Sequence, residues 1–204
     1  MSLRNPNTVS MTVAMATLVL TLAALMWLPV RWASADDAAT PIRVYYTADE
    51  ARHKIFPEAV RFELETHFIP RQAKLDLEGQ LGRSFAEDSL KVYLAYDADN
   101  LAGYAVVSNE IGKYQPITFM VGVTVDFRVQ GAAILIYRES RGAEVRRTRF
   151  LKQYRDKTSR DPIRINRDIV NITGATLSVR ALNFGVRKLL AITEHLYGHR
   201  AAFK

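Results

Sequence analysis

The feature that most constrains this chain is the stretch 168–190, where a β-branched extended run turns abruptly into a helical pattern. Ile169, Val170 and Ile172 lead into Thr173-Gly174-Ala175-Thr176, and helical spacing begins at once. Leu177, Ala181, Phe184 and Lys188 fall at i, i+4, i+7 and i+11, while Leu182, Val186, Leu189, Leu190 and Ile192 fill out an apolar stripe. Thr173 reads as the N-cap of this helix and Gly174 permits close approach of the backbone. The first-turn N–H groups have no intrahelical partners, and the helix dipole adds to their pull on an anion. With the hydroxyls of Thr173 and Thr176 beside them, these donors form a site suited to a phosphate.

The rest of the chain limits what such a site can serve. There is no cysteine. That excludes disulfides, thiolate nucleophiles, cysteine-held iron–sulfur clusters and C-x-x-C-H haem attachment, so a redox role needs a bound organic cofactor. The charge is also local. Between Arg138 and Arg167 there are 11 Lys/Arg against 4 Asp/Glu, a surplus equal to the whole chain's net charge of +7. This basic stripe suits an acidic redox partner, anionic lipid headgroups or plain solvation.

Residues 11–28 form an apolar run interrupted only by threonines. At about 1.5 Å per residue it spans roughly 27 Å, enough to cross a bilayer core. Arg4 and the amino terminus precede it, which keeps the N-terminus cytoplasmic. Ala33-Ser34-Ala35 also matches a signal-peptidase pattern, so the run fits an anchor or a signal cleaved at Ala35. Either way the remainder faces the periplasm or cell exterior, the expected location being the inner membrane, or the periplasm after cleavage. Export argues against nucleic acid as a partner.

The expected organisation is an anchor or signal over 1–35, a helical preface over 36–90, a main domain over 91–197 and a tail over 198–204. In the preface, Thr47-Ala48-Asp49-Glu50 is a capping box for a short helix stopped by Pro57. A second helix is expected over 71–78, ended by Gly79. The apolar residues Ile55, Phe56, Phe62, Leu64, Leu75 and Leu77 would pack this preface on the main domain. Segments 91–96 and 101–107 flank the hairpin signal Asp97-Ala-Asp-Asn100. Segments 117–125 and 132–138 give two more strands, with a turn near Gln130-Gly131. Residues 148–156 read as a helix with Phe150, Leu151 and Tyr154 on one side. The fold class is therefore α+β: a twisted antiparallel sheet with packed helices, preceded by one N-terminal hydrophobic helix.

Several segments resemble one family, in that family's order. Thr173-Gly-Ala-Thr-Leu-Ser178 resembles the [S/T]GAT-x-[S/T] motif of the FMN-binding domain family, which includes the G subunit of Rnf complexes and the C subunit of sodium-translocating NADH:quinone oxidoreductase. Glu139-Ser140-Arg141-Gly142 resembles that family's E-[TS]-x-G turn, and Gly112-Lys113-Tyr114-Gln115-Pro116-Ile117 a segment ahead of its third strand. Phe150-Leu-Lys-Gln-Tyr-Arg-Asp-Lys157 resembles its F-L-x-Q-F/Y-x-x-K helix. The resemblance covers residues 92–190.

It implies FMN as cofactor, with a phosphoester to Thr176 made by a flavin transferase. Thr173, Gly174, Ala175, Leu177 and Ser178 would surround that bond. Glu139 and Ser140 would supply an acceptor and a donor to the flavin ring, and Arg141 or Lys113 a positive charge for its reduced anionic form. The position three before Thr173 is usually Asp in the family; here it is Val170, with Asp168 two residues earlier.

No catalytic residue or metal ligand is assigned. His195 and His199 are at i, i+4, but Gly198 is expected to break the helix between them, and a histidine at a helix C-terminus is favourable without metal. The expected role is an electron carrier or subunit within a redox or respiratory chain, acting with the membrane and redox partner proteins. Two other readings fit the same residues: a flavin-free module that docks through the basic stripe, and a free-standing FMN-dependent reductase.

Overall fold

The computed structural model describes residues 42–201, which lie within one compact unit. Their framework is a six-stranded antiparallel sheet with strand order β1-β6-β5-β4-β3-β2. The strands are β1 (Arg43–Val44), β2 (Arg61–Phe68), β3 (Ser89–Asp97), β4 (Asn100–Ile111), β5 (Pro116–Thr124) and β6 (Val129–Tyr137). Among the described residues four helices accompany them: α1 (Ala48–Ile55), α2 (Arg71–Leu81), α3 (Thr148–Leu151) and α4 (Thr176–Ala201). The apolar run at 11–28 and the Ala35 cleavage pattern lie outside the described residues. Among the described residues no helix is long and apolar enough to cross a membrane.

The α+β class is as expected, and the sheet is larger than the four strands anticipated. Two strands come from the segment expected to be a helical preface. β2 pairs with β3 along its whole length, from Arg61↔Tyr96 to Phe68↔Ser89. Its signal was present as strict alternation, Phe62-x-Leu64-x-Thr66-x-Phe68. Of the preface residues expected to pack inward, Ile55, Phe56 and Leu77 are buried, whereas Leu64 and Leu75 are exposed. On the other face of β2, Glu65 and His67 meet the Tyr197 hydroxyl of α4, each at 2.8 Å.

Both faces of the sheet are covered, which explains why β5 is buried without interruption from Ile117 to Val123. α4 lies against β4 and β5 on one face, over Phe119, Val121 and Val123. α1 covers the other face, where Ala51, Ile55 and Phe56 meet Met120, Ala133 and Leu135. The capping box of α1 forms as expected, with the Glu50 amide donating to Thr47 Oγ1 at 3.1 Å and the Thr47 amide to Glu50 Oε2 at 2.8 Å.

Local boundaries shift where backbone geometry overrules composition. α2 continues through Gly79 and ends at Gly82, whose φ of 68° supplies the left-handed terminus. The β5–β6 turn sits at 125–128, ahead of the expected Gln130-Gly131, and is closed by Phe127 N–H to the Thr124 carbonyl at 3.0 Å. The expected helix at 148–156 is the short α3 followed by a 3-10 turn at Lys152–Tyr154, with Phe150, Leu151 and Tyr154 all buried. α4 runs through Gly198 without a break. Lys188, on the buried stripe of α4, is neutralised by Glu110 at 2.6 Å and by Glu87. Burial pushes the Glu110 carboxyl above its ordinary range, against the pull of Lys188.

Candidate functional site

Antiparallel pairing decides which loops can meet. β5 starts at Pro116 and β6 ends at Tyr137, and Thr118 faces Ile136 in the register. The β4–β5 connection and the exit of β6 therefore lie at one end of the sheet, and the N-terminus of α4 lies against them. Between them is a cleft of about 550 Å³ lined by Lys113, Tyr114, Glu139, Ser140, Arg141 and the run Gly174–Ser178. That volume falls in the usual range for small-ligand sites.

Three side chains hold the walls. Glu139 is 5% exposed, and its Oε1 accepts the amides of Tyr114 at 2.6 Å and Gln115 at 2.9 Å. It thus fastens the 112–115 loop to the end of β6, and one of its two oxygens is already committed. Arg138 donates to the Pro116 carbonyl at 3.0 Å and to Thr118 Oγ1 at 2.9 Å, pinning the start of β5. Tyr137 is fully buried and donates its hydroxyl proton to the Arg141 carbonyl at 2.6 Å. Its single proton being spent there, the 2.9 Å contact with Ser178 Oγ has Ser178 as donor. Burial, more than any other influence, pushes the Tyr137 phenol above its ordinary range, so it stays protonated for this role.

Gly142 makes that junction possible. A Cβ there would stand 2.7 Å from Tyr137 Oη and 3.0 Å from Ser178 Oγ, and its φ is 86°. Only glycine fits both the space and the backbone angle.

The start of α4 differs from the expectation in one respect. The helix begins at Thr176, too far along the chain for Thr173 to be its N-cap. Thr173 and Gly174 are the central residues of a turn closed by the Ala175 amide to the Ile172 carbonyl at 3.0 Å, with Gly174 at φ 82°. Thr173 is therefore an exposed turn residue that neither caps the helix nor lines the cleft. The donor set nonetheless survives. The first helical bond is Val179 N–H to the Ala175 carbonyl at 2.9 Å, so the amides of Thr176, Leu177 and Ser178 precede it without a carbonyl partner in the helix.

Thr176 is half-buried, and its Oγ1 accepts a hydrogen bond from Asn171 Nδ2 at 2.9 Å. Upstream, Val170 is exposed, and its amide donates to Gln153 Oε1 at 2.7 Å. Gln153 thereby ties the 150–154 segment to the approach of the motif. Asp168 is engaged elsewhere, accepting the amides of Ile163 at 3.0 Å and Arg164 at 2.8 Å and pairing with Lys157 at 2.9 Å.

The cleft brings together nine of the ten residues expected from sequence: Lys113, Glu139, Ser140, Arg141, Gly174, Ala175, Thr176, Leu177 and Ser178. Sequence reasoning missed Tyr114, 72% exposed on the rim with Lys113 Nζ 4.6 Å from its ring centre. An aromatic residue beside a lysine in a strand connection was the available signal. It also missed Tyr137, which looked like any inward strand residue. His195 is exposed on α4, and the side chain of His199 lies outside the described residues.

Free helical amides, a half-buried hydroxyl and an open glycine make one wall of the cleft a cradle for an oxyanion. Tyr114, Lys113 and Arg141 add an aromatic ring and two cations to the same cleft, a lining chemically suited to a phosphorylated, ring-bearing ligand. Residues 112–191 match the model of the FMN-binding domain family, and this part of the chain is an FMN-binding domain with FMN as its cofactor. No curated protein matches the chain.

Proposed function

We propose that this protein is an exported, membrane-associated carrier that relays electrons through FMN held at the start of α4, with the FMN phosphate esterified to Thr176. The observation that carries the reading is the cleft itself, where the Gly174–Ser178 run faces Lys113, Glu139 and Arg141. The amides of Thr176, Leu177 and Ser178 suit the phosphate charge, aided by the helix dipole. Asn171 orients the Thr176 oxygen that would carry the ester. The Tyr114 ring, exposed on the rim, is placed to cover a flavin ring, while the second oxygen of Glu139 remains to accept a hydrogen bond from it. Lys113 and Arg141 favour an anionic ring electrostatically. FMN supplies reversible one- or two-electron transfer.

The apolar run at 11–28 supports a membrane anchor or export signal, and with it an inner-membrane or periplasmic setting. The exposed Arg146, Arg147 and Arg149 support docking of an acidic redox partner or a lipid surface. The test is the visible spectrum of the full chain produced with its export segment and a flavin transferase, followed by a denaturing gel under ultraviolet light. Stoichiometric flavin absorbance and a fluorescent band are expected. A folded, colourless protein that also fails to bind added FMN overturns the reading.

A further inference from the structure

A second cleft, of about 340 Å³, opens between the 163–166 loop and the middle of α4. It shares no lining residue with the FMN cleft. Three arginines converge on it: Arg164 from the loop and Arg180 and Arg187 from α4, with Asn166, Asn183 and Phe184 between them. Arg180 and Arg187 stand two helical turns apart on one face. No carboxylate lines the cleft. Among the described residues none of the three arginines takes part in an ion pair, and Arg187 makes only a long 3.4 Å contact with the Leu81 carbonyl.

Like charges gathered without a counter-charge raise the energy of the fold, and here that is visible. The Arg187 guanidinium is held below its ordinary range by burial and then by the positive charge of Arg164. The loop that presents Arg164 is also strained, with φ of 43° at Ile163 and 63° at Asn166. A β-branched residue in the left-handed region is rare and persists only when its surroundings impose it. Here they do: Asp168 accepts the amides of Ile163 and Arg164, and the Asn166 amide reaches the Ile169 carbonyl at 3.2 Å. The cations are thus held on a fixed framework over an apolar floor of Ile163 and Phe184.

We propose that the Arg164–Arg180–Arg187 cleft is a second anion site, separate from the FMN cleft, that takes a phosphate-class oxyanion. A single carboxylate would leave two guanidiniums uncompensated, whereas a phosphate dianion presents several oxygens to several planar N–H forks. The asparagine amides Asn166 and Asn183 add polar groups at the wall. The phosphate can belong to a free ion or to a lipid headgroup, and the two sources are separable.

The test uses the full chain with and without FMN. In one arm inorganic phosphate is titrated by calorimetry; in the other, vesicles containing phosphatidic acid are compared with neutral vesicles by sedimentation. Saturable binding is expected in at least one arm, equal with and without FMN. Arg164→Gln and Arg180→Gln should each weaken it by roughly tenfold, because each removes a charged hydrogen-bonding fork. Both positions are exposed, so neither change threatens folding. The double change Arg71→Gln/Lys91→Gln removes two exposed charges outside both the cleft and the basic stripe, and should alter binding by less than about twofold, as screened distant charge does. Soluble phosphate binding assigns a free ion, and vesicle binding alone assigns a headgroup; either upholds the site. No saturable binding in either arm overturns it. So does equal weakening by the control pair, which would mean bulk charge, or loss of phosphate binding on FMN loading, which would place the anion in the FMN cleft.

Discussion

Tyr137 Oη and Ser178 Oγ, 41 positions apart in the chain, lie 2.9 Å from each other beside the cleft proposed to hold FMN. With the Arg141 carbonyl at 2.6 Å, this contact joins the end of β6 to the first turn of α4. Tyr137→Phe removes both bonds and leaves a buried serine and carbonyl short of partners. The expected cost is about 1–3 kcal/mol of stability, read by denaturant unfolding. FMN affinity should fall too, because the Arg141 turn loses its tether. Unchanged affinity would show that the tether does not position the turn.

The proposed phosphoester gives the two threonines of the motif different predicted responses, because Thr173 is an exposed turn residue whereas Thr176 is half-buried at the start of α4. Thr176→Ala should abolish flavin that survives denaturation. Thr173→Ala should change stability by less than about 0.5 kcal/mol, since it is an exposed turn residue and not a cap. Val170→Asp places a carboxylate at a position 74% exposed and should raise covalent loading without steric cost. Intact mass of the four proteins reads the loading, denaturant unfolding reads the stability, and a covalent adduct on Thr176→Ala would remove Thr176 as the attachment site.

Two glycines with nearly the same backbone angle should respond differently to alanine. Gly142→Ala meets the Tyr137 and Ser178 hydroxyls and should cost about 2–3 kcal/mol. Gly174→Ala meets nothing within 4 Å and carries only the strain of its φ of 82°, about 1 kcal/mol. Its methyl group would project where the proposed phosphate sits, so it should weaken FMN binding more than it weakens the fold. Thermal melts beside a flavin fluorescence titration separate the two.

Asp168 links the 163–166 loop to pH. Desolvation pushes its carboxyl up, but the Arg164 amide, Lys157 and the Ile163 amide together hold it below the ordinary value of 3.8. A carboxyl depressed in the folded state stabilises above its unfolded value and loses that contribution as pH falls through the folded one. The melting-temperature gap between the native chain and Asp168→Asn should therefore be constant above 3.8 and close below it. A gap that widens on acidification would contradict the assignment.

The basic stripe predicts a salt response. If it docks an acidic partner or an anionic membrane, the association rate should fall as salt rises, since exposed charges are screened beyond about 8 Å at physiological ionic strength. Charge reversal at Arg146, Arg147 and Arg149, all exposed, should slow association and leave flavin content alone. A rate indifferent to salt would leave these arginines simply solvated.

The sequence by itself determined what depends on near neighbours. The helical stripe after Thr176, the hairpin around Ala98 and Asp99, and the capping box at Thr47 are set by periodicity and by side chains three or four residues apart. Nine of the ten cleft residues were legible because they fall in short motifs whose order along the chain is itself informative. Tertiary structure decided everything that depends on register. Alternation marks β2 as extended, but only pairing with β3 and coverage by α1 and α4 say which of its faces is buried. The demotion of Thr173 from cap to turn required the actual path at Gly174. Tyr137 beneath Ser178, Glu139 under the 112–115 loop, and Arg164 beside Arg187 join residues separated by at least about twenty positions. Periodicity carries no information on such pairs, because their contacts exist only after sheet register and helix docking have fixed the distance between them.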